Sequence, residues 1–275
     1  MNYRHAFHAG NHLDVFKHAA LTLILGRLVE KPQPFAVLDS HAGVGVYDLA
    51  AEASQRTGEF EDGAGRVFGC ELAAAPRYAA LLAALNADGV LATYPGSPEI
   101  VRRMLRDHDR LVCCELHPEE FAALKARYRG DRRIAVHHRD GYEAIRALLP
   151  PKERRGLVLI DPPYEAPDEA ERLARALAEG LARWPTGIFL AWYPIKDRRI
   201  GDVLAETAKA AGFPKCLQAE LLPYAEDGER LAGGGILVCN APWKLDERLE
   251  ALAAELAGLL GDQTGRRRVA WLTAP

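Results

Sequence analysis

Several absences narrow the problem before any motif is read. The five cysteines form no CxxC pair: Cys113 and Cys114 are adjacent, and Cys70, Cys216 and Cys239 are scattered. That argues against a zinc site and against a disulfide framework, and predicts reduced, mostly buried thiols. No stretch approaches the ~18 consecutive apolar residues of a membrane span. The polar, His-rich start MNYRHAFHAGNHLDVFKHAA does not read as a signal peptide, so a soluble cytoplasmic protein is expected. There is neither an internal repeat nor a low-complexity linker. Net charge is also scarce, with 35 Lys and Arg against 38 Asp and Glu. The total therefore gives no hint of a nucleic-acid partner, since dedicated binders are often basic. With 49% hydrophobic residues over 275 positions, the chain is globular, sized for one large domain or a domain with an insertion.

Apolar residues at near-helical spacing predict an amphipathic helix over 12–29, stopped by Lys31-Pro-Gln-Pro34. Phe35-Ala-Val-Leu-Asp39 reads as a buried strand, followed by the glycine-bearing loop Ser40-His-Ala-Gly-Val-Gly45. Turn-rich sequence and an Ala/Leu-rich helix over 72–88 set 48–91 apart as an inserted helical subdomain within a main domain of 1–47 and 92–275. Strands are predicted at 111–116, 133–138, 156–161 and 187–193. Helices are predicted at 97–106, 118–128, 141–149 and 167–183. This alternation implies βαβ units in an α/β, mostly parallel, doubly wound sheet. Candidate strands at 215–223, 234–239 and 267–273 around a helix at 244–260 suggest an antiparallel edge.

Ligands of such sheets bind beyond the carboxyl ends of the strands. Four strand ends carry polar signals: Asp39 to Gly45, Glu115, Asp140-Gly141 and Asp161-Pro-Pro-Tyr164. Singly, each is compatible with an ordinary turn. Together they describe a nucleoside pocket, with Glu115 on the ribose hydroxyls and Asp140 facing an adenine. The first loop lacks G-x-G-x-x-G, which disfavours a dinucleotide. S-adenosylmethionine, a nucleoside without phosphate, fits better.

Asp161-Pro-Pro-Tyr164 is the most specific string. An adenine amine is a poor nucleophile because its lone pair is delocalised into the ring. The Asp161 carboxylate and the Pro162 carbonyl form an acceptor pair that can hold its two N–H groups. The prolines stiffen the loop, and Tyr164 would stack on an extruded base.

The motif looks like that of amino-group methyltransferases, and a longer series resembles the RlmJ family: Tyr3-Arg-His5, Phe7 to His12, Lys17-His18, Asp39 to Gly43, Arg56-Thr-Gly-Glu59, Tyr94 to Pro98, Glu115 to Pro118, Asp140-Gly141, Gly156 to Tyr164, Trp192-Tyr-Pro194 and Pro242-Trp-Lys244. The resemblance implies a Rossmann-like methyltransferase fold with a small helical insertion. It also implies methylation of N6 of one adenine in 23S ribosomal RNA, with S-adenosylmethionine as cofactor. It implies a cofactor pocket of His18, His41, Ser97, Glu115, Asp140, Gly141 and Asp161, with Asp161 also catalytic. Tyr3 would contact the RNA. No protein partner is evident, and a monomer is expected.

Four of the nine histidines, His5, His8, His12 and His18, lie in the first eighteen residues. His8 and His12 are four apart, as metal ligands on a helix often are. However, Asn11-His-Leu13 reads as a helix start, and no Cys or carboxylate has suitable spacing. Hydrogen bonding within a loop over the active site is expected instead, with no metal. Lys17 and His18 can reach cofactor or RNA from the first helix. Residues 101–155 hold fourteen Lys and Arg against nine Asp and Glu, which is either a solvated face or a phosphate-tracking surface. Two alternatives remain: a DNA adenine-N6 methyltransferase, and a non-catalytic RNA-binding assembly factor that kept the fold.

Overall fold

The computed structural model describes residues 4–226, 231–262 and 264–274. A 3-10 turn at His5–Phe7 leads to α1 (His12–Val29), which Asn11 caps by accepting from the backbone of Leu13 and Asp14. Of α1, only His12, Arg27 and Val29 escape full burial. The expected amphipathic helix is thus a core helix, enclosed by neighbours on several sides.

β1 (Ala36–Asp39) carries the first glycine loop at its carboxyl end. β2 (Val46–Asp48) and β3 (Thr93–Pro95) pair as an antiparallel ribbon. Between them lie α2 (Glu52–Thr57), α3 (Ala64–Val67) and α4 (Pro76–Leu85). Their apolar residues Val67, Tyr78 and Leu82 pack into the same core as α1, so this excursion is seated on the main body.

The chain then alternates through α5 (Ser97–Met104), β4 (Arg110–Glu115), α6 (Pro118–Arg127), β5 (Ile134–His138), α7 (Gly141–Leu148), β6 (Gly156–Ile160), α8 (Glu169–Arg183) and β7 (Ile188–Ile195). α9 (Arg199–Ala210), β8 (Leu217–Leu222), β9 (Gly233–Cys239), α10 (Leu245–Leu260) and β10 (Arg266–Trp271) complete it. α9 was not anticipated, although Leu204 and Ala208, four apart, form its buried stripe.

The sheet order is β10-β8-β9-β7-β6-β1-β4-β5. β1, β4, β5, β6 and β7 are mutually parallel, while β9 and β10 pair antiparallel with their neighbours. This is the mixed α/β, doubly wound architecture with an antiparallel end that the alternation predicts. Successive strands leave β1 toward β5 on one side and resume at β6 on the other. The crevice at this reversal lies between the tips of β1 and β6, which carry Asp39 and Asp161.

Four arginines of the basic stretch 101–155 have a structural role. Arg110, Arg133 and Arg155 stand at the amino ends of β4, β5 and β6, the pole opposite that crevice. Arg133 and Arg155 donate to the carbonyls of Leu105, Gln33 and Leu28. Arg106 donates to those of Lys31 and Gln33 and grips Asp109. Fully buried Asp109 accepts from the Phe35 and Arg106 backbone amides at 3.1 and 2.9 Å. These arginines close loops at the floor of the sheet. Asp109→Ala should therefore destabilise the protein by about 3 kcal/mol, by leaving those donors unsatisfied. Urea unfolding measures this, and a loss under ~0.5 kcal/mol would contradict it.

Candidate functional site

Two adjoining cavities open at the carboxyl ends of the parallel strands. The first, of about 200 Å³, is lined by His18, His41, Ser97, Glu115, Asp140, Gly141 and Asp161, which are all seven positions anticipated for a cofactor. The second, of about 310 Å³, is lined by His8, Asn11, Glu59, Tyr164, Trp192 and Pro194 among others. His5, Lys17, Asp161, Pro162 and Pro163 face both and form the wall between them. Tyr3 lies outside the described residues.

The first cavity is built by loops that lock onto one another. Gly43, in the left-handed region at φ 60°, turns the β1 loop so that its N–H reaches Glu115 Oε2 at 2.8 Å. Glu115 Oε1 accepts from the His117 amide at 2.7 Å. Each oxygen keeps a lone pair that a hydroxyl can use. Asp140 caps α7, with Oδ1 accepting from the Tyr142 and Glu143 amides. Its Oδ2 lies 3.9 Å from Arg172, so one oxygen of the expected adenine acceptor is already engaged. Beside it, a Cβ on Gly141 would come within 2.2 Å of the Ser40 carbonyl. Only a glycine lets the α7 start pass so close.

Two of the cavity histidines, His18 and His41, are uncharged near neutrality. Burial lowers His41 to about 4 and His18 to about 3. Ser40 Oγ donates to the Leu159 carbonyl at 2.9 Å, so at 2.8 Å it must accept from His41 Nδ1–H. That leaves His41 Nε2 an acceptor. His18 Nδ1 shares a hydrogen bond of 2.9 Å with the buried Tyr94 hydroxyl. Ser97 donates to Asp39 Oδ2 at 2.7 Å. Burial raises Asp39 to about 7, and its Oδ1 is buried without a partner among the described residues.

Against the dividing wall, on the side of the second cavity, lies a residue the motifs did not single out, Asp14. It accepts from Gly10 N at 2.9 Å, meets His5 Nε2 at 2.8 Å and pairs with Lys17 at 2.9 Å. Lys17 continues to Asp161 Oδ2 at 2.5 Å. The i, i+3 spacing of Asp14 and Lys17 on a predicted helix was the available signal. Tyr164 (φ 54°) donates its hydroxyl to the Trp192 carbonyl, and its ring meets Trp192 edge-on, centroids 5.7 Å apart. Lys17 Nζ lies 5.1 Å from the Trp192 ring centre. The N-terminal histidines serve as hydrogen-bonding groups: His5 to Asp14, His8 to Glu59 at 2.8 Å, and His18 to Tyr94.

The chain is similar over nearly its whole length to known proteins. The family described as "Ribosomal RNA large subunit methyltransferase D, RlmJ" matches residues 32–273. The Escherichia coli (strain K12) protein named "Ribosomal RNA large subunit methyltransferase J" is 39% identical over 279 residues, covering 99% of both chains. Its Haemophilus influenzae namesake is 38% identical over 280 residues, again covering 99% of each. A crystal structure from Legionella pneumophila superposes with a TM-score of 0.90 at 30% identity, over 96% of this chain and 98% of that one.

The wall has a measurable electrostatic signature. Burial opposes the charge on Lys17, but Asp14 and Asp161 outweigh it and its pKa lies above the ordinary lysine value. Burial would raise Asp14, yet His5 and Lys17 hold it well below the usual carboxylate range. The native state thus binds fewer protons there than the unfolded chain. The stabilisation is present above the unfolded carboxylate value near 4 and is lost as pH falls through the native value. Lys17→Met should cost about 3–5 kcal/mol at pH 7. It should cost distinctly less at pH 3, where the unpaired carboxylates can take protons. Denaturant unfolding at the two pH values checks the sign.

Proposed function

The chain belongs to the RlmJ family of large-subunit ribosomal RNA methyltransferases, and on that footing we propose that it uses S-adenosylmethionine to methylate the exocyclic N6 amine of one adenine in 23S ribosomal RNA. One observation carries the reading. Asp161 and Pro162 stand in the wall shared by two cavities, so a donor on one side and an acceptor base on the other would meet at these residues.

The first cavity fits the cofactor's chemistry. Ser97 and His18 border the methionyl end, the Ser97 hydroxyl being held by the buried Asp39 carboxyl group behind it. Glu115 has lone pairs left for the ribose hydroxyls, and Asp140 and Gly141 border the adenine end. Bound there, S-adenosylmethionine supplies an electrophilic methyl group. Asp161 and the Pro162 carbonyl accept the two N–H groups of the target amine and keep its lone pair aimed across the wall. Lys17 holds the Asp161 carboxylate in place. Tyr164, anchored on Trp192, forms an aromatic side of the base pocket, and Tyr3 is assigned to RNA contact. Such a reaction needs positioning and a preorganised polar site more than covalent catalysis.

The proposal includes residues 48–91 as the inserted subdomain and a monomeric cytoplasmic enzyme. The relatives' names support ribosomal RNA as the partner. Among the described residues, no helix is long and apolar enough to cross a membrane.

Asp161→Ala should abolish methyl incorporation into RNA from a strain lacking the enzyme, while far-UV dichroism stays native. The wild-type protein should modify a single adenine in that RNA and leave DNA unmodified. Near wild-type turnover in the variant, or preferential methylation of DNA, refutes the assignment.

A further inference from the structure

The segment before α1 is buried at its inner end, Ala9 to Asn11, but residues 4–8 are not buried and have little to hold them by themselves. Residues 4–11 include one 3-10 turn with no buried residue, yet they carry His5 into the wall between the cavities. The exposed Arg4–Glu119 pair, with side chains 53% and 71% accessible, contributes little in solvent. The firmer attachment comes from the α2 region of the excursion between β2 and β3. Ser54 Oγ donates to the Ala6 carbonyl at 3.0 Å, and Thr57 Oγ1 donates to that of Phe7. Just past Gly58, which ends α2, Glu59 engages both carboxylate oxygens. Oε1 meets His8 Nδ1 at 2.8 Å, and Oε2 accepts from Asn11 Nδ2 at 3.0 Å. The Asn11 amide oxygen meanwhile caps α1 at the turn that carries Asp14.

We propose that Glu59 is a positioning residue for methyl transfer: it fastens the N-terminal segment over the base-side cavity, and so sets the chain His5–Asp14–Lys17–Asp161. This rests on the reading of the two cavities given above and adds a role for the inserted segment. Glu59 borders the second cavity and does not line the first, so its effect falls on the acceptor side. Its bond with His8 raises that imidazole above its ordinary value against the effect of burial. Burial would raise Glu59, but the bonds from His8 and Asn11 prevail and lower it. Each partner thus favours the charged form of the other, which suits a fastener at a half-exposed position.

Three measurements on the full chain test this. In Glu59→Ala, amide exchange over residues 4–11 should accelerate while β1 and β6 keep wild-type protection. S-adenosylmethionine affinity by calorimetry should stay within about twofold. kcat on ribosomal RNA should fall about tenfold or more, with a smaller change in KM, because misplacement of a reacting group acts on the chemical step. Glu59→Gln retains an acceptor for Asn11 and should recover most of the lost rate. The double variant Ser54→Ala, Thr57→Val loosens the same segment without touching Glu59 and should move exchange and kcat in the same direction. Wild-type exchange in Glu59→Ala overturns the proposal, as does wild-type kcat. A parallel loss of cofactor affinity and melting temperature would make Glu59 merely structural and overturn it as well. If the unaltered protein transfers no methyl to ribosomal RNA, the functional reading fails instead, and the exchange comparison still decides whether Glu59 holds the segment.

Discussion

A buried ammonium between two carboxylates organises this molecule. Lys17 is 3% exposed and Asp14 2%, and Asp161 reaches them from the tip of β6, 144 residues away in sequence. None of the three charges is tolerable alone in that setting. Burying one without a partner costs several kcal/mol, so the arrangement is maintained only if all three arrive together. The first helix, the central strand and the Asp161 loop are thereby fixed relative to one another. The surrounding core of Phe16, Leu21, Ile24 and Leu157, all essentially inaccessible, supplies the apolar burial that offsets the desolvation.

The polar fittings of the first cavity follow the same economy. Its His18 and His41 are neutral, its loop amides already point at Glu115, and its Ser97 hydroxyl is already oriented by Asp39. Groups held this way need little reorganisation when a ligand arrives. Asp39 stands apart, because its second oxygen is buried with no partner among the described residues.

The excursion between β2 and β3 binds the architecture to the chemistry. Its apolar side chains join the main core, and its hydroxyls and Glu59 hold backbone and side chains of residues 6–11. Residues 4–8, none of them buried, depend on such contacts for a defined position. Of the basic residues of 101–155, which invited comparison with a phosphate-binding face, Arg106, Arg110, Arg133 and Arg155 are engaged in closing loops at the far pole.

Much of this was legible in the residues alone. Alternating periodicity located the parallel strands within two residues, because buried strands and the helices between them leave distinct apolar spacings. Strand-end acids and glycines pointed to the pocket, because α/β sheets place ligands at that edge whatever the chemistry. Local periodicity could not tell a core helix from a surface one, which is why α1 was misjudged. Spacing could pair Asp14 with Lys17, but not show that His5 and Asp161 join them, nor find Glu59 as the partner of His8, 51 residues away. Nothing in a linear pattern says which arginine meets a carbonyl and which meets solvent. Those outcomes belong to the tertiary structure, because the free energy of a buried charge is set by what surrounds it in space.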